Sequence, residues 1–551
     1  MTDFKKIADF IFSDVDKTPE YYEELYPKRQ LPEGARVTRF APSPTGYLHF
    51  GGLYASFASK LTADTTNGVF MLRIEDTDKK REVEDGVTGI VNGLKAFGMT
   101  PHEGVMGYDS ESGIYGPYTQ SKRRAIYRTF AKKLMEEGKA YPCFCTPEDL
   151  DEIRAKQENE DIKGYYGEYA KCRNLSDQEI IDKINAGTPF TVRLRSEGNI
   201  ENKIKFDDMI KGKIEMSQNV NDVVILKADG IPTYHFAHAV DDHLMGTTHV
   251  VRGDEWIASV PLHIELFRAL GFKPVKYAHI APIMKEENGG KRKLSKRKDP
   301  EANVSYYIEK GYPEESVKEY MLTILNSNFE DWRRANKNES IEKFPFNLKK
   351  MSVSGALFDM VKLNDVSKNV ISLMKCDKVY DLVTAWAKDY DETIYKLFTE
   401  NPQKAKDILN IDRENPKPRK DIAYWDEVKD YVSYFYNELY SPDFTLPQNI
   451  EKADAINILT KYKEIYSEND TKDEWFAKIK GLCEECGFTG NVKEYKKNPD
   501  AYKGHVGDVS SVIRIAITSR TNTPDLYYIM QILGTQEVLN RLQNAINSYK
   551  D

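Results

Sequence analysis

The 551 residues carry a formal net charge of −8, with 40% hydrophobic and 30% charged residues, an ordinary balance for a globular chain too long for a single core. No run of about 18 uncharged apolar residues occurs, which excludes a membrane-spanning helix, and the amino terminus lacks the apolar stretch and cleavage site of a signal peptide, so a cytoplasmic location is expected. Six cysteines are too few for a disulfide framework at this length, while the acidic total leaves a nucleic-acid partner open, because phosphate binding depends on local Lys/Arg clusters.

Residues 1–35 precede the first strand signal, and FKKIADFIF (4–12) fits either a short amphipathic helix packed on the following domain or an interaction arm. ARVTRF (35–40) predicts a strand, with Val37 and Phe40 among β-formers and prolines directly behind. After Gly51 and Gly52 the period changes: Leu53, Phe57 and Leu61 recur every four residues until Asn67-Gly68 stops the helix. VFMLRI (69–74) is a nearly continuous apolar run of the kind buried in a parallel sheet. Strand, glycine-bearing loop, helix and strand form a βαβ unit, which takes ligands at the carboxyl ends of its strands.

The stretch from 116 to 220, rich in Tyr, Lys and Glu, is too long for a loop and predicts an inserted domain. A second α/β stretch begins at VVILKADGIPTYHF (223–236), passes THVVRG (248–253) and enters the helix WIASVPLHIELFRALGF (256–272), with apolar positions at 257, 260, 264, 267 and 270. From about 340 onward the pattern is of charged amphipathic helices, which predicts a separate helical region. No fixed-period repeat is visible.

Two short segments carry the chemistry. In TRFAPSPTGYLHFGG (38–52), prolines stiffen a loop that ends at a helix amino terminus, where unpaired N–H groups and the dipole favour an anion. Gly51 and Gly52 let phosphate approach the backbone, and His49 stands ready to donate to its oxygens. By itself the stretch fits a rigid strand-to-helix turn equally well. GGKRKLSKRKDP (289–300) places six basic residues between Lys291 and Lys298. Such runs are usually solvated, yet a glycine-flanked loop bearing Lys293, Ser295 and Lys296 suits a triphosphate from which pyrophosphate departs. Together the two segments point to a nucleotide.

At these residues the sequence resembles a known family. FAPSPTGYLHFGG (40–52) resembles the first signature of the class I aminoacyl-tRNA synthetases in its glutamyl form, and KLSKR (293–297) resembles the second, mobile-loop signature. LRIEDTD (72–78), GIPTYHFAHAVDDHLMG (230–246) and VVRGDEW (250–256) resemble further glutamyl-tRNA synthetase blocks in the expected order. VSSVIRIAITSR (509–520) extends the resemblance into the helical region.

The resemblance implies an α/β fold: a Rossmann-like catalytic domain in halves 36–115 and 221–290, with an acceptor-end-binding domain inserted at 116–220. A mobile loop and stem-contact region at 291–374 and an all-α anticodon-binding domain at 375–551 follow, the latter with Arg514 as one tRNA-facing candidate; residues 1–35 form an extension. It implies a two-step ligase: glutamate attacks the α-phosphorus of ATP, and the terminal ribose of tRNA(Glu) then takes the glutamyl group. Charging of tRNA(Gln) as well is left open. His49, Lys293, Ser295 and Lys296 would act on the phosphates. Pro42, Thr45, Gly46, Gly51, Gly52 and Glu255 would complete the ATP site, with Mg²⁺ accompanying ATP. Glutamate brings two carboxylates and an ammonium, and Arg39, Ser43, Glu75, Tyr234, His238 and Arg252 are its expected partners. A monomer is expected, and tRNA affinity is expected to fall as salt rises.

His238 departs from the family pattern, which has asparagine four residues after the tyrosine of PTYH. A protonated imidazole there would strengthen glutamate binding modestly as pH falls toward about 6. His235, His238 and His243 lack the spacing of a helical metal site. Cys143-x-Cys145 with Cys172 and either Tyr166 or Tyr169 resembles the zinc knuckle of some glutamyl-tRNA synthetases, and zinc is left open; Cys483, Cys486 and Cys376 read as ordinary thiols. The rival readings are a relaxed synthetase, a shortened tRNA-modifying relative, disfavoured by about 200 further residues of helical sequence, and a non-catalytic tRNA-binding paralogue, disfavoured by intact His49, Lys293 and Lys296.

Overall fold

The structure, a computed structural model, describes residues 3–78 and 83–550. Its chain divides into two compact units, Met1–Ile308 with Lys318–Asp359, and Glu309–Val317 with Met360–Asp551.

In the first unit helix α1 (Phe4–Ile11) is capped by Asp3, whose side chain accepts from the Lys6 amide. Strand β1 (Val37–Phe40) leads through the proline loop into helix α2 (Phe50–Asp64), and the chain returns in β2 (Val69–Leu72), parallel to β1 with Val37 opposite Val69. Gly68 makes the re-entry possible, because a Cβ there would lie 1.9 Å from the Arg36 carbonyl oxygen. Strand β3 (Glu103–Gly107) continues the parallel order beside β2, and β4 (Ser110–Ser112) closes the edge antiparallel to it. Helix α3 (Arg124–Glu136) then packs against α1. Ile7, Ala8 and Phe12 are buried there, so the amino-terminal segment is a packed amphipathic helix, the first of the two expected alternatives.

The inserted segment contributes β5 (Ala140–Cys143) and β6 (Thr191–Leu194), paired antiparallel, and the hairpin β7 (Lys203–Asp208) and β8 (Gly212–Ser217). Strand β9 (Val224–Leu226), from the VVIL stretch assigned to the second catalytic half, pairs antiparallel with β6 of the insertion instead of joining the parallel sheet. Helix α4 (Tyr234–Leu244) follows, then β10 (His249–Gly253), helix α5 (Val260–Ala269) and β11 (Lys276–Ile280), the last parallel to β10. The expected helix from 256 begins as a 3₁₀ turn, Asp254–Ser259, because Pro261 sits in the first turn of α5, where its fixed φ favours a helix start. The Thr248 amide donates to the Val37 carbonyl at 2.9 Å and joins the two parallel segments at β1. Their carboxyl ends therefore face one side, the Rossmann-like arrangement expected.

The basic run is split between two structures. Its first residues form β13 (Gly290–Lys293), which turns back on β12 (Ile283–Glu287) through Asn288 and Gly289, both at positive φ (52 and 78), the geometry of a tight hairpin. Strand β14 (Ala356–Leu357) pairs parallel with β12. The second unit is helical, including Met360–Leu373, Cys376–Tyr390, Lys452–Ile465, Val506–Thr518 and Thr535–Lys550. Arg541 is buried in it, donating to the carbonyls of Tyr434 and Ile517 at 2.7 Å each.

Ile7 is 1% exposed, so Ile7→Ala should destabilise the first unit by about 2–5 kcal/mol. Urea unfolding followed by tryptophan fluorescence checks this; an unchanged midpoint would mean that α1 is a detachable arm.

Candidate active site

The carboxyl ends of β1, β2 and β10 and the amino end of α2 enclose a cleft of about 380 Å³. Of the residues singled out by sequence, Arg39, Ser43, His49, Gly51, Gly52, Glu75, Tyr234, Arg252, Glu255 and Lys293 line it.

His49 caps α2: its Nδ1 accepts from the Gly51 amide at 2.8 Å, which leaves the ring's other nitrogen to donate. Burial, with Lys296 and Lys293 nearby, lowers its pKa to about 4, so the imidazole is neutral at pH 7. The expectation of free glycine amides is corrected here. The Gly51 N–H is taken by the His49 ring, and the Gly52 N–H donates to the His49 carbonyl at 2.8 Å, because a helix start satisfies its orphan donors locally. What these glycines offer a ligand is a wall without side chains.

Pro42, Thr45, Gly46, Ser295 and Lys296 stand around the cleft. The Pro42 carbonyl accepts from the Glu75 amide at 3.0 Å, and the Thr45 amide donates to the Ser43 carbonyl at 2.8 Å. The Lys296 ammonium donates to the Tyr47 carbonyl, across the proline loop, and lies 3.7 Å from where a Cβ on Gly46 would be. Behind it, buried Asp299 accepts from the Ser295 amide at 2.9 Å, from Arg292 at 2.6 and 2.8 Å and from Lys285 at 3.0 Å. This carboxylate fixes the base of the KLSKR loop, a role no sequence signal revealed.

The opposite wall is organised by the two aspartates of AVDDH. Asp242 is fully buried and accepts from Arg73 Nη1 at 2.7 Å and from Arg39 Nε at 3.3 Å; although burial opposes ionisation, Arg39 and Arg73 hold its carboxyl well below the usual range. Asp241 accepts from Arg123 and from the Tyr127 hydroxyl, both at 2.7 Å, and from Gln120 at 3.0 Å. Glu75 lies 3.4 Å from Arg73, yet burial outweighs both nearby arginines and raises its pKa to about 7.

His238 is corrected on two points. It is fully buried behind Tyr234, with Nδ1 2.6 Å from Asp242 and Nε2 2.9 Å from the Tyr277 hydroxyl. Burial pushes its pKa to about 3 despite Asp242, since that carboxylate is already balanced by two guanidinium groups. The ring is neutral across the physiological range, and the expected gain in glutamate affinity toward pH 6 has no physical source here. His235 turns to His263 at 2.9 Å, and His243 bonds Glu23 at 2.6 Å.

Arg252 is held differently from Arg39. Among the described residues no carboxylate lies within ion-pair reach of it; its neighbours are the Tyr234 hydroxyl at 3.2 Å, the Tyr277 ring at 4.6 Å and two histidines, His263 and His279. Both histidines escape sequence reasoning, where the only hint is a lone imidazole inside apolar runs, SVPLHIEL and YAHIAPI.

In the inserted segment Cys143, Cys145 and Cys172 place their sulfurs within 4.8 Å of one another. The phenol beside them is Tyr165, with Oη 3.2 Å from Cys145 Sγ. Tyr166 and Tyr169, the tyrosines first considered, turn instead toward Glu160 at 3.3 and 2.6 Å. Hydrogen bonding between Cys143 and Cys172 lowers the pKa of the first and raises that of the second, and three sulfurs this close with a phenol beside them fit a thiophilic metal such as zinc. In the helical unit Arg514 is half-buried and donates to the carbonyls of Thr523 and Pro524 at 3.4 and 3.2 Å, which closes a loop of its own unit.

Residues 36–365 match the family model "tRNA synthetases class I (E and Q), catalytic domain", and residues 379–546 match "Anticodon binding domain". The chain is 52% identical over 544 residues to the glutamate–tRNA ligase of Clostridium perfringens strain 13, covering 98% of this chain and 100% of that protein. It is 49% identical over 546 residues to that of Acetivibrio thermocellus, covering 99% and 100%. A crystal structure of a glutamate tRNA ligase from Elizabethkingia meningosepticum in complex with its amino acid superposes with a TM-score of 0.73 at 28% identity, covering 93% of this chain and 99% of that one. The family model starts at residue 36, whereas the clostridial relative spans nearly the whole chain.

Proposed function

From the premise that the chain belongs to the glutamate–tRNA ligase family of class I tRNA synthetases, we propose that the cleft between β1, β2, β10 and α2 joins glutamate to AMP and passes the glutamyl group to the terminal adenosine of tRNA(Glu). The observation that carries this assignment is the meeting, in one cleft, of His49 and Lys293 from the two nucleotide signatures with the uncompensated guanidinium of Arg252 and the carboxyl of Glu75.

A glutamate carboxylate is drawn to Arg252, whose charge no protein carboxylate cancels, with the Tyr234 hydroxyl and Ser43 beside it. Glu75 takes the ammonium, and Arg39, tied to Asp242, shapes that end of the site; His238 supports Arg39 and Tyr234 from behind as a neutral ring. The α-carboxylate oxygen attacks the α-phosphorus of ATP, and the phosphoanhydride bond breaks with pyrophosphate as leaving group. His49 donates to phosphate oxygens, and Lys293 and Lys296 neutralise charge as pyrophosphate leaves, which needs Lys296 to exchange the Tyr47 carbonyl for phosphate. Ser295 sets the loop that carries them. Pro42, Thr45 and Gly46 shape the facing loop, Gly51 and Gly52 admit the nucleotide, and Glu255 lies on the adenosine side. The tRNA ribose hydroxyl then attacks the activated carbonyl and AMP departs. No covalent enzyme intermediate is involved, so positioning and charge do the catalysis. Mg²⁺ arrives with ATP as its counter-ion.

The inserted domain is assigned to the acceptor end and the helical unit to the anticodon. Cys143, Cys145, Cys172 and Tyr165 would hold zinc, whose chemistry there is structural cross-linking of β5 to the loop at 165–172. The protein is read as a cytoplasmic monomer; no helix among the described residues is long and apolar enough to cross a membrane.

Charging assays with ATP, labelled glutamate and separate tRNA transcripts should give product on tRNA(Glu), and Lys296→Ala should slow it by about a hundredfold or more; product on tRNA(Gln) as well marks a relaxed enzyme, and none on either overturns the assignment. Because the free Glu75 carboxyl titrates near 7, kcat/KM for glutamate should fall roughly tenfold from pH 8 to pH 6 as its ionised fraction drops. Glu75→Gln should remove that acid limb while lowering the plateau; an acid limb that survives would place the titration elsewhere. Metal analysis should find roughly one zinc per chain, lost in Cys145→Ser and weakened in Tyr165→Phe but unaffected by Tyr166→Phe.

A further inference from the structure

Arg252 differs from the neighbouring arginine in the kind of group that holds it. Its Nε donates to His279 Nε2 at 3.1 Å, and its Nη2 to His263 Nδ1 at 3.2 Å. The hydrogen positions follow from the partners of the rings that can only accept or only donate. His279 Nδ1 is 2.6 Å from the Asp208 carboxylate, which only accepts, so the proton sits on Nδ1 and Nε2 is free to accept. His263 Nδ1 meets a guanidinium N–H, which can only donate, so Nδ1 accepts, the neutral ring's proton sits on Nε2, and Nε2 donates to His235 Nδ1 at 2.9 Å. Asp208 is itself fixed at the tip of the β7–β8 hairpin by the amides of Ile210 at 3.0 Å, Lys211 at 2.8 Å and His279 at 3.1 Å. His263 and His279 are fully buried.

We propose that His279 and His263 are positioning residues for Arg252, two neutral acceptors that fix the plane of its guanidinium without cancelling its charge. A carboxylate in either place would orient the group as well, as Asp242 does for Arg39, but would consume the charge that a substrate carboxylate is to meet. This inference rests on the reading of Arg252 as the carboxylate-binding arginine of the cleft. It requires both rings to stay neutral, and the charged and titratable groups around them favour that. His279 faces Asp208 and Lys211 from the hairpin, Arg252 from β10 and Tyr277 from its own strand. His263 faces His235 and His238 from α4, Arg252 from β10, Arg39 from β1 and Tyr277 from β11. For His263 every charged group named is cationic or becomes so on protonation; for His279 the Asp208 carboxylate is spent on the Nδ1 proton the neutral ring already carries.

The test separates this role from a merely structural one, in which His279 serves only to tie the hairpin to β11. In His279→Asn the amide nitrogen replaces Nδ1 and keeps the Asp208 bond, while the acceptor for Arg252 is lost. In His279→Gln a carbonyl oxygen reaches the Nε2 position and the Asp208 bond is lost. With full-length protein charging tRNA(Glu), His279→Asn should raise KM for glutamate about ten- to a hundredfold, the worth of one hydrogen bond to a charged group. KM for ATP should stay unchanged, and His279→Gln should stay within about threefold of wild type. The inverse ranking, Gln impaired and Asn normal, overturns the proposal in favour of the structural role. If either variant melts well below wild type, the pair His263→Leu and His263→Asn repeats the test at the other ring, with Leu expected to raise the glutamate KM and Asn to spare it; equal glutamate KM values in that pair overturn the proposal. Wild type that charges normally, with Arg252→Ala leaving the glutamate KM unchanged, would sink the reading of Arg252 itself rather than the role of the histidines.

Discussion

Two adjacent carboxylates with no access to water set the terms for the catalytic unit. Asp241 and Asp242 leave α4 side by side, and each must be balanced inside the protein, because an unpaired buried charge costs several kcal/mol. Arg73 reaches both, Arg39 takes Asp242 and Arg123 takes Asp241. These arginines come from β1, from the chain just after β2 and from the start of α3, so the charge balance fixes the mutual placement of elements that are far apart in sequence. The amino-terminal segment joins the same cluster: the Tyr26 ring lies under Arg123 at 5.3 Å, and its hydroxyl donates to the Gly116 carbonyl at 2.8 Å.

This arrangement divides the site's positive charges by function. Arg39, bonded to Asp242, contributes shape and hydrogen-bond donors with little net field. Arg252, surrounded by imidazoles, a phenol and aromatic faces, keeps a charge that no carboxylate among the described residues pairs with. Glu75 lies between two arginines, yet burial raises its pKa to about 7, so the cleft wall carries a carboxyl that changes charge near neutrality. Around His49 and the KLSKR loop the logic is reversed. His49 is kept neutral, and the lysines of the KLSKR loop stay exposed, anchored by the Asp299 carboxylate at the loop's base, so their charge can move.

Much of this was legible in the sequence. The change of period at Gly51 and Gly52 gave β1, α2 and β2, because local repeat and turn chemistry determine such elements. The residues lining the cleft were named through ordered motifs, and ten of them meet there. What escaped has a common cause: it depends on contacts between residues distant in the chain. His279 and Asp208 lie 71 positions apart, and no local pattern announces such a pair. Tyr165 was passed over for Tyr166 and Tyr169, since only the fold decides which phenol turns toward the sulfurs. The charge state of His238 was misjudged because the sequence displays its proximity to Tyr234 and hides its complete burial. The free amides expected at Gly51 and Gly52 were lost to a cap made by the very histidine that flagged the site.

The hairpin tip that supplies Asp208 belongs to the inserted segment, whereas the histidine it orients belongs to a strand of the parallel sheet. A segment that looks like an independent cassette, with its own strands and thiol cluster, therefore reaches into the core of its host and sets the proton position on one of the host's rings. Grafting this insertion between related enzymes, or trimming it to obtain a smaller catalyst, would remove the carboxylate that orients His279 and with it a support of Arg252 in the cleft. The boundary between the two domains is continuous in hydrogen bonding, and variation in one is constrained by the chemistry of the other.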